Sequence, residues 1–96
     1  MGHNNNMKYR TKNEIIASIL QAANGGSTIT NMTYKSFLSH DQLKRYVLTL
    51  EENGLLTHDK TDMTFRTTTK GLDFVAANNA LRELCEPSGL AVSESP

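Results

Sequence analysis

The side chains that could carry out chemistry in this 96-residue chain are few and scattered. The three histidines, His3, His40 and His58, and the single Cys85 fall on different predicted elements. None of them is paired at a spacing typical of zinc ligands. No glycine-rich loop follows a predicted strand, and no serine or cysteine stands in a nucleophile motif. The sequence therefore predicts no enzyme, no metal and no cofactor, and no small-molecule ligand is evident from it.

The remaining chemistry is electrostatic. The chain has 10 Lys+Arg against 10 Asp+Glu, and a formal net charge of zero argues at first against a nucleic-acid partner. The charge is unevenly distributed, because residues 1–70 sum to +3 and residues 71–96 to −3. Such an asymmetry indicates a basic binding surface followed by an acidic end.

The length is that of one small domain. No apolar run approaches the ~18 residues of a membrane span, and the first residues lack the apolar region of a secretion signal. A lone cysteine forms no internal disulfide. We therefore expect a cytoplasmic protein with no membrane partner.

Helical periodicity begins near Thr11 and ends at Asn24-Gly25-Gly26. Thr11 and Glu14 have the spacing of a capping box, in which each side chain bonds the other residue's backbone N–H. A second, shorter helix is predicted over 28–38, with Thr28 as its N-cap. Its composition is poor for a helix, so packing must fix it.

The third helix, at about 39–53, has the clearest signals. Ser39 and Gln42 form a second capping box, and an apolar stripe follows at helical spacing: Leu43, Val47 and Leu50. Asn53-Gly54 ends the helix, with the spacing of a Schellman motif.

Two short strands follow, at 55–59 and 63–68, joined by a loose turn. Alternation places Phe65 and Arg66 on opposite faces, and Met63 is predicted to fill the core. A last helix runs from about 68 to 86, with Gly71 as a close-packing position, and Asn78-Asn79 interrupt its apolar residues. The predicted organisation is an arm at 1–9, a domain at 10–86 and a disordered tail at 87–96.

The order helix, helix, helix, strand, strand, helix predicts an α+β winged helix-turn-helix, with a three-helix core, a two-stranded β-hairpin wing and a C-terminal helix. The segment from Ser39 to Val75 resembles the archaeal ArnR-like winged helix-turn-helix domains, and Arg10–Leu20 also fits their pattern, so the resemblance covers about residues 10–86. The matching positions are Leu38, Ser39, Gln42, Leu43, Tyr46, Leu50, Gly54, Leu55, Leu56, Phe65, Thr68, Lys70, Gly71 and Phe74.

The resemblance implies binding of double-stranded DNA in transcription regulation or chromatin organisation, hence a nucleoid-associated protein. Related archaeal ten-kilodalton chromatin proteins dimerise through a long last helix. The last helix here is short, so a homodimer through it stays open.

In a helix-turn-helix the third helix enters the major groove, and a wing lies along the adjacent backbone. The candidate DNA-binding residues are accordingly Lys35, His40, Gln42, Lys44, Arg45, Lys60 and Arg66. Two alternatives stay open: a protein-interaction module of the same fold that does not bind DNA, and a non-specific chromatin-associated protein. The alternative without DNA contact is that Lys44 and Arg45 lie on a solvent-exposed helix face, with Asp41 and Arg45 forming an ion pair.

Overall fold

The computed structural model describes residues 10–85. The elements follow the predicted order: α1 (Lys12–Ala22), α2 (Ile29–Ser36), α3 (His40–Glu52), β1 (Leu56–Asp59), β2 (Thr64–Thr67) and α4 (Thr69–Cys85). Four helices and a two-stranded antiparallel hairpin make the α+β winged helix-turn-helix fold. The predicted arm and tail lie outside the described residues. Within the described part, no helix combines the length and apolarity needed to cross a membrane.

Local sequence signals set the ends of α1 and α3. Both capping boxes are formed, between Thr11 and Glu14 and between Ser39 and Gln42. At the end of α3, the Leu55 N–H bonds the Leu50 carbonyl at 2.9 Å and the Gly54 N–H bonds the Glu51 carbonyl at 3.1 Å. These two bonds, with Gly54 at φ 77°, complete the predicted Schellman motif.

Helix α2 ends two residues earlier than predicted. Its C-cap, Phe37, adopts the left-handed conformation at φ 57° and leaves 86% of its side chain exposed. This conformation turns the chain sharply into α3, and a bulky residue adopts it at a cost of ~1–2 kcal/mol. The predicted cap is confirmed, since the Thr28 side chain accepts a hydrogen bond from the Asn31 N–H.

The hairpin pairs Leu56 with Thr67 and Asp59 with Thr64, and four residues form its tip. Phe65 is buried and Arg66 exposed, as alternation predicts. The prediction that Met63 fills the core is wrong. Met63 lies at the tip in the left-handed region, at φ 59°, and is 65% exposed.

The hairpin is attached to the loop between α1 and α2 by contacts that the sequence did not reveal. Ser27 forms an isolated antiparallel bridge with Phe65, with hydrogen bonds of 2.9 and 2.7 Å. The buried Thr67 donates its hydroxyl to the Leu20 carbonyl at 2.6 Å. These bonds hold the hairpin beside the start of α2.

The core lies between the helices and the hairpin. Its fully buried side chains include Ile19, Leu20, Met32, Leu43 and Leu50. The stripe predicted for α3 is therefore confirmed.

Helix α4 buries a polar side chain and leaves large apolar ones exposed. Asn78 is buried, at 8% exposure, whereas Leu81 and Leu84 are 56% and 68% exposed. Asn78 and Ala17 of α1 line the same depression between the two helices. Asn78 follows Gly71 and Val75 at helical spacing on the buried face of α4, so a polar side chain interrupts the apolar residues of this helix, as predicted.

Gly71, in the first turn of α4, is a close-packing position, as predicted. A Cβ atom there would collide with the Leu55 carbonyl oxygen and the Thr67 methyl group. The missing side chain lets α4 start directly against the base of the hairpin.

Candidate nucleic-acid interface

Helix α3 exposes one continuous face. Successive residues of a helix turn by about 100°, so residues at i, i+4, i+7 and i+11 form a stripe. The stripe opposite the buried leucines consists of exposed side chains: Asp41, Arg45, Leu48 and Glu52. These side chains, with those on either flank, are what α3 presents to a partner.

The Arg45 side chain, from the exposed stripe, and the Lys44 side chain beside it extend to different sides of α3. Lys44 lines a groove shared with the hairpin residues His58 and Met63. Arg45 lines a shallow depression next to Lys12 of α1. The two cations thus extend on both sides of the helix, which suits contacts to the two backbones that border a major groove.

The charge on α3 is mixed. Lys44 and Arg45 stand against Asp41, Glu51 and Glu52, which leaves a formal charge of −1. Within residues 10–85 the Asp41–Arg45 pair is not formed, and neither side chain has another partner there.

Gln42 is already engaged by its own helix. Its Oε1 accepts the Ser39 backbone N–H at 3.0 Å, and its backbone N–H bonds the Ser39 hydroxyl at 3.1 Å. Bidentate readout of adenine needs both the oxygen and the nitrogen of the amide, so it would require this cap to open. His40, the first residue of α3, is exposed.

Lys60 and Arg66 occupy different parts of the hairpin. Lys60 is exposed at the tip, between two acidic residues that order the turn. Asp59 accepts the Thr61 N–H at 2.9 Å, and Asp62 accepts the Thr64 hydroxyl at 2.6 Å. The Thr64 hydrogen bond is the main reason that the pKa of Asp62 lies below its usual value of 3.8.

Arg66 extends from the exposed face of β2 toward the loop between α1 and α2. Its Nη1 donates to the Gly25 carbonyl at 3.1 Å. Arg66 remains an exposed cation, but its guanidinium is held in place by the loop.

Lys35 is exposed in the last turn of α2, away from the groove and depression that flank α3. The nearby Arg10 donates to the Ser36 carbonyl at 2.8 Å, where it complements the negative end of α2. Arg10 thus has a structural role in addition to the charge it adds to the N-terminal segment.

Two residues beside these cations were missed or misjudged from the sequence. Leu48 is 62% exposed on α3, and Met63 of the hairpin lines the same groove. The helical period alone could have identified Leu48, which lies off the buried stripe. Nothing local could have identified Met63. In the described residues, no three His, Cys, Asp or Glu side chains converge as metal ligands would.

The chain matches a known protein family. A family model described as winged helix-turn-helix covers residues 9–86. No curated protein matches the chain. The matched span contains every element and every candidate interface residue described above.

Proposed function

The chain belongs to the winged helix-turn-helix family, and from that premise we propose that it binds double-stranded DNA and regulates transcription, in the manner of the archaeal ArnR-like domains it resembles. The observation that carries the proposal is the exposed α3 with a cation on each flank, directly followed by the hairpin. The activity is binding, without a catalytic step.

In the proposed complex, α3 lies in the major groove with its N-terminal half near the base edges. Arg45, whose guanidinium has no partner among the described residues, contacts phosphate on the side of α3 opposite Lys44. Lys44 contacts phosphate on the hairpin side. His40 and the free amide nitrogen of Gln42 supply further hydrogen bonds near the start of α3.

The hairpin and α2 contribute backbone contacts. Lys60 at the tip and Arg66 on β2 neutralise phosphates of the neighbouring backbone, and Lys35 does the same from α2. Because none of these contacts reads a base, they set orientation and affinity rather than sequence preference.

The modest charge predicts moderate, salt-sensitive affinity. About five cations in contact with phosphate give a slope of log K against log salt of about −4.5. A titration of mixed-sequence duplex at several salt concentrations measures this slope. Absence of binding to any duplex at low salt would contradict the proposal.

A second candidate function is a protein-interaction module that does not use DNA. It is favoured by Asp41, Leu48 and Glu52 on the outermost stripe of α3, since carboxylates there repel phosphate. The double substitution Lys44→Glu/Arg45→Glu separates the two functions. It should abolish DNA binding, but it need not affect a partner that binds elsewhere. Non-specific chromatin association is the third candidate, and it predicts equal affinity for all duplex sequences.

We further propose a homodimer through α4, with the protein located at the nucleoid in the cytoplasm. Leu81 and Leu84 are exposed on α4, beside the exposed Ala77 and Ala80. Sedimentation of the wild type and of Leu84→Gln tests the dimer. A monomeric wild type contradicts it, whereas a dimer that Leu84→Gln dissociates supports it and implies an operator with two-fold symmetry.

A further inference from the structure

An open groove of about 520 Å³ separates α3 from the hairpin. Lys44, Val47 and Leu48 of α3 line the groove, as does Met63 at the hairpin tip. Phe65 and His58 also line the groove. Its volume falls in the range of about 300–1,000 Å³ that is typical of small-molecule sites.

The groove is built to hold a flat apolar body. Leu48 and Met63 are 62% and 65% exposed, so two large apolar side chains line the groove, one from α3 and one from the hairpin. The His58 ring, also in the lining, stacks on Phe65 with centroids 4.3 Å apart and planes 7° from parallel. An aromatic ring inserted here would cover both exposed side chains.

The hairpin keeps Met63 in this position at a conformational cost. Met63 adopts φ 59°, which residues other than glycine rarely do. Because the side chain is exposed, its burial in the fold does not offset that cost, whereas burial against a ligand would.

The polar groups of the groove favour a negative charge at the Lys44 end. Lys44 has no partner among the described residues. The half-buried Glu51 is the one acidic side chain in the lining, and it lies seven residues, or about 10 Å, further along α3. Ile29 and Thr30, whose N–H groups start α2, also line the groove.

We propose that this groove binds a small aromatic molecule with one negative charge, with its ring between Leu48 and Met63 and its anionic group at Lys44. Because Lys44 is also a proposed phosphate contact, the bound molecule and DNA exclude each other. The competition with DNA rests on the proposed function, whereas ligand binding in the groove does not.

The test uses two dyes that differ in charge. Anilinonaphthalene sulfonate is an aromatic monoanion, and N-phenyl-1-naphthylamine is its neutral counterpart. Both fluoresce on entering an apolar environment, and both are titrated without DNA. Wild type should bind the anionic dye more tightly than the neutral one. Equal affinities, or no binding of the anionic dye, overturn the proposal.

Variants locate the binding. Leu48→Gln and Met63→Asn should each weaken binding of the anionic dye about five- to tenfold, because each removes one apolar side chain of the lining. Asn tolerates the backbone conformation at position 63, so this variant keeps the fold. Lys44→Gln should weaken the anionic dye and leave the neutral dye unchanged. Unchanged affinity for the anionic dye in Leu48→Gln and Met63→Asn, or an equal effect of Lys44→Gln on both dyes, overturns the proposal.

Matched controls are Arg45→Gln on the other flank of α3 and Leu81→Gln on α4. Both variants should bind the anionic dye as wild type does. If either loses as much affinity for the dye as Met63→Asn does, the dye does not bind in the groove. Amide chemical shifts of the wild type provide a measurement that needs no variant. Addition of the dye should shift residues 44–51 and 58–65, and shifts centred on α4 contradict the groove.

A competition experiment tests the coupling to DNA. The anionic dye should weaken binding of duplex to wild type but not to Met63→Asn. If the dye binds in the groove and DNA binding is absent, the proposed DNA binding is contradicted and ligand binding in the groove is supported. If DNA binds and the dye does not, DNA binding is supported and ligand binding in the groove is contradicted.

Discussion

Arg66 of the hairpin donates a hydrogen bond of 3.1 Å from Nη1 to the carbonyl oxygen of Gly25, in the loop between α1 and α2. The side chain lies against Gly26, where a Cβ atom would be 3.4 Å from its second Nη nitrogen. Arg66 and Gly25 are 41 positions apart in the chain. Arg66, which we propose to contact DNA, therefore also links the hairpin to the helical core through a hydrogen bond.

Replacement of Arg66 should reveal how much its contact with Gly25 contributes to stability. Arg66→Gln removes the bond and the charge, and it should lower the free energy of unfolding by about 1 kcal/mol. Arg66→Lys keeps the charge but loses the guanidinium geometry. Urea denaturation measures the stability of each. If both variants are as stable as wild type, the contact with Gly25 contributes nothing.

Gly71→Ala should destabilise the fold by about 1–3 kcal/mol, because the new methyl group meets the Leu55 carbonyl oxygen. Thermal unfolding of the variant measures the loss. Gly25→Ala is the control, since it has a positive φ but open space for a Cβ. A Gly71→Ala variant that is more stable than wild type would show that α4 does not pack directly on the hairpin.

Phe37→Gly should stabilise the protein by about 1 kcal/mol. Glycine adopts the left-handed conformation without strain, and Phe37 is too exposed to lose much packing. Thermal unfolding again provides the measurement, with Tyr34→Gly as the contrast. Tyr34 is equally exposed but lies inside α2, where glycine should destabilise. A loss of stability in Phe37→Gly would contradict this account of the turn.

The hairpin tip should respond to acid through Asp62. Its pKa in the folded chain is lowered, chiefly by the Thr64 hydroxyl, so the stabilisation is present above the unfolded pKa and is lost as pH falls through the folded value. The loss therefore occurs below pH 3.8. An NMR titration of the Asp62 carboxyl should show its pKa rise in Thr64→Val. An unchanged pKa would mean that the hydrogen bond is not formed in solution.

The features predicted from the sequence are those set by local chemistry. The capping boxes at Thr11 and Ser39, and the Schellman motif at Gly54, involve residues within a few positions of each other. The apolar stripe of α3 follows from helical period. These signals, with the order of the elements, were enough to predict the winged helix-turn-helix.

The features that the sequence did not predict depend on contacts between distant segments. Ser27 and Phe65 are 38 positions apart, and no local pattern marks their pairing. Burial of Asn78 depends on which face of α4 meets α1. Exposure of Met63 depends on a turn with no glycine to mark its positive φ. For the same reason, the groove beside α3 could not be seen in the sequence.

The salt dependence of duplex binding by Lys44→Gln/Arg45→Gln tests the central claim most directly. Removal of two phosphate contacts should make the slope of log K against log salt less steep by about 2. The control is Asn13→Glu/Gln21→Glu, which makes the same change in net charge at exposed positions on α1. The account predicts that this control keeps a slope near the wild-type value. Equal slopes in wild type and in Lys44→Gln/Arg45→Gln would contradict binding through α3.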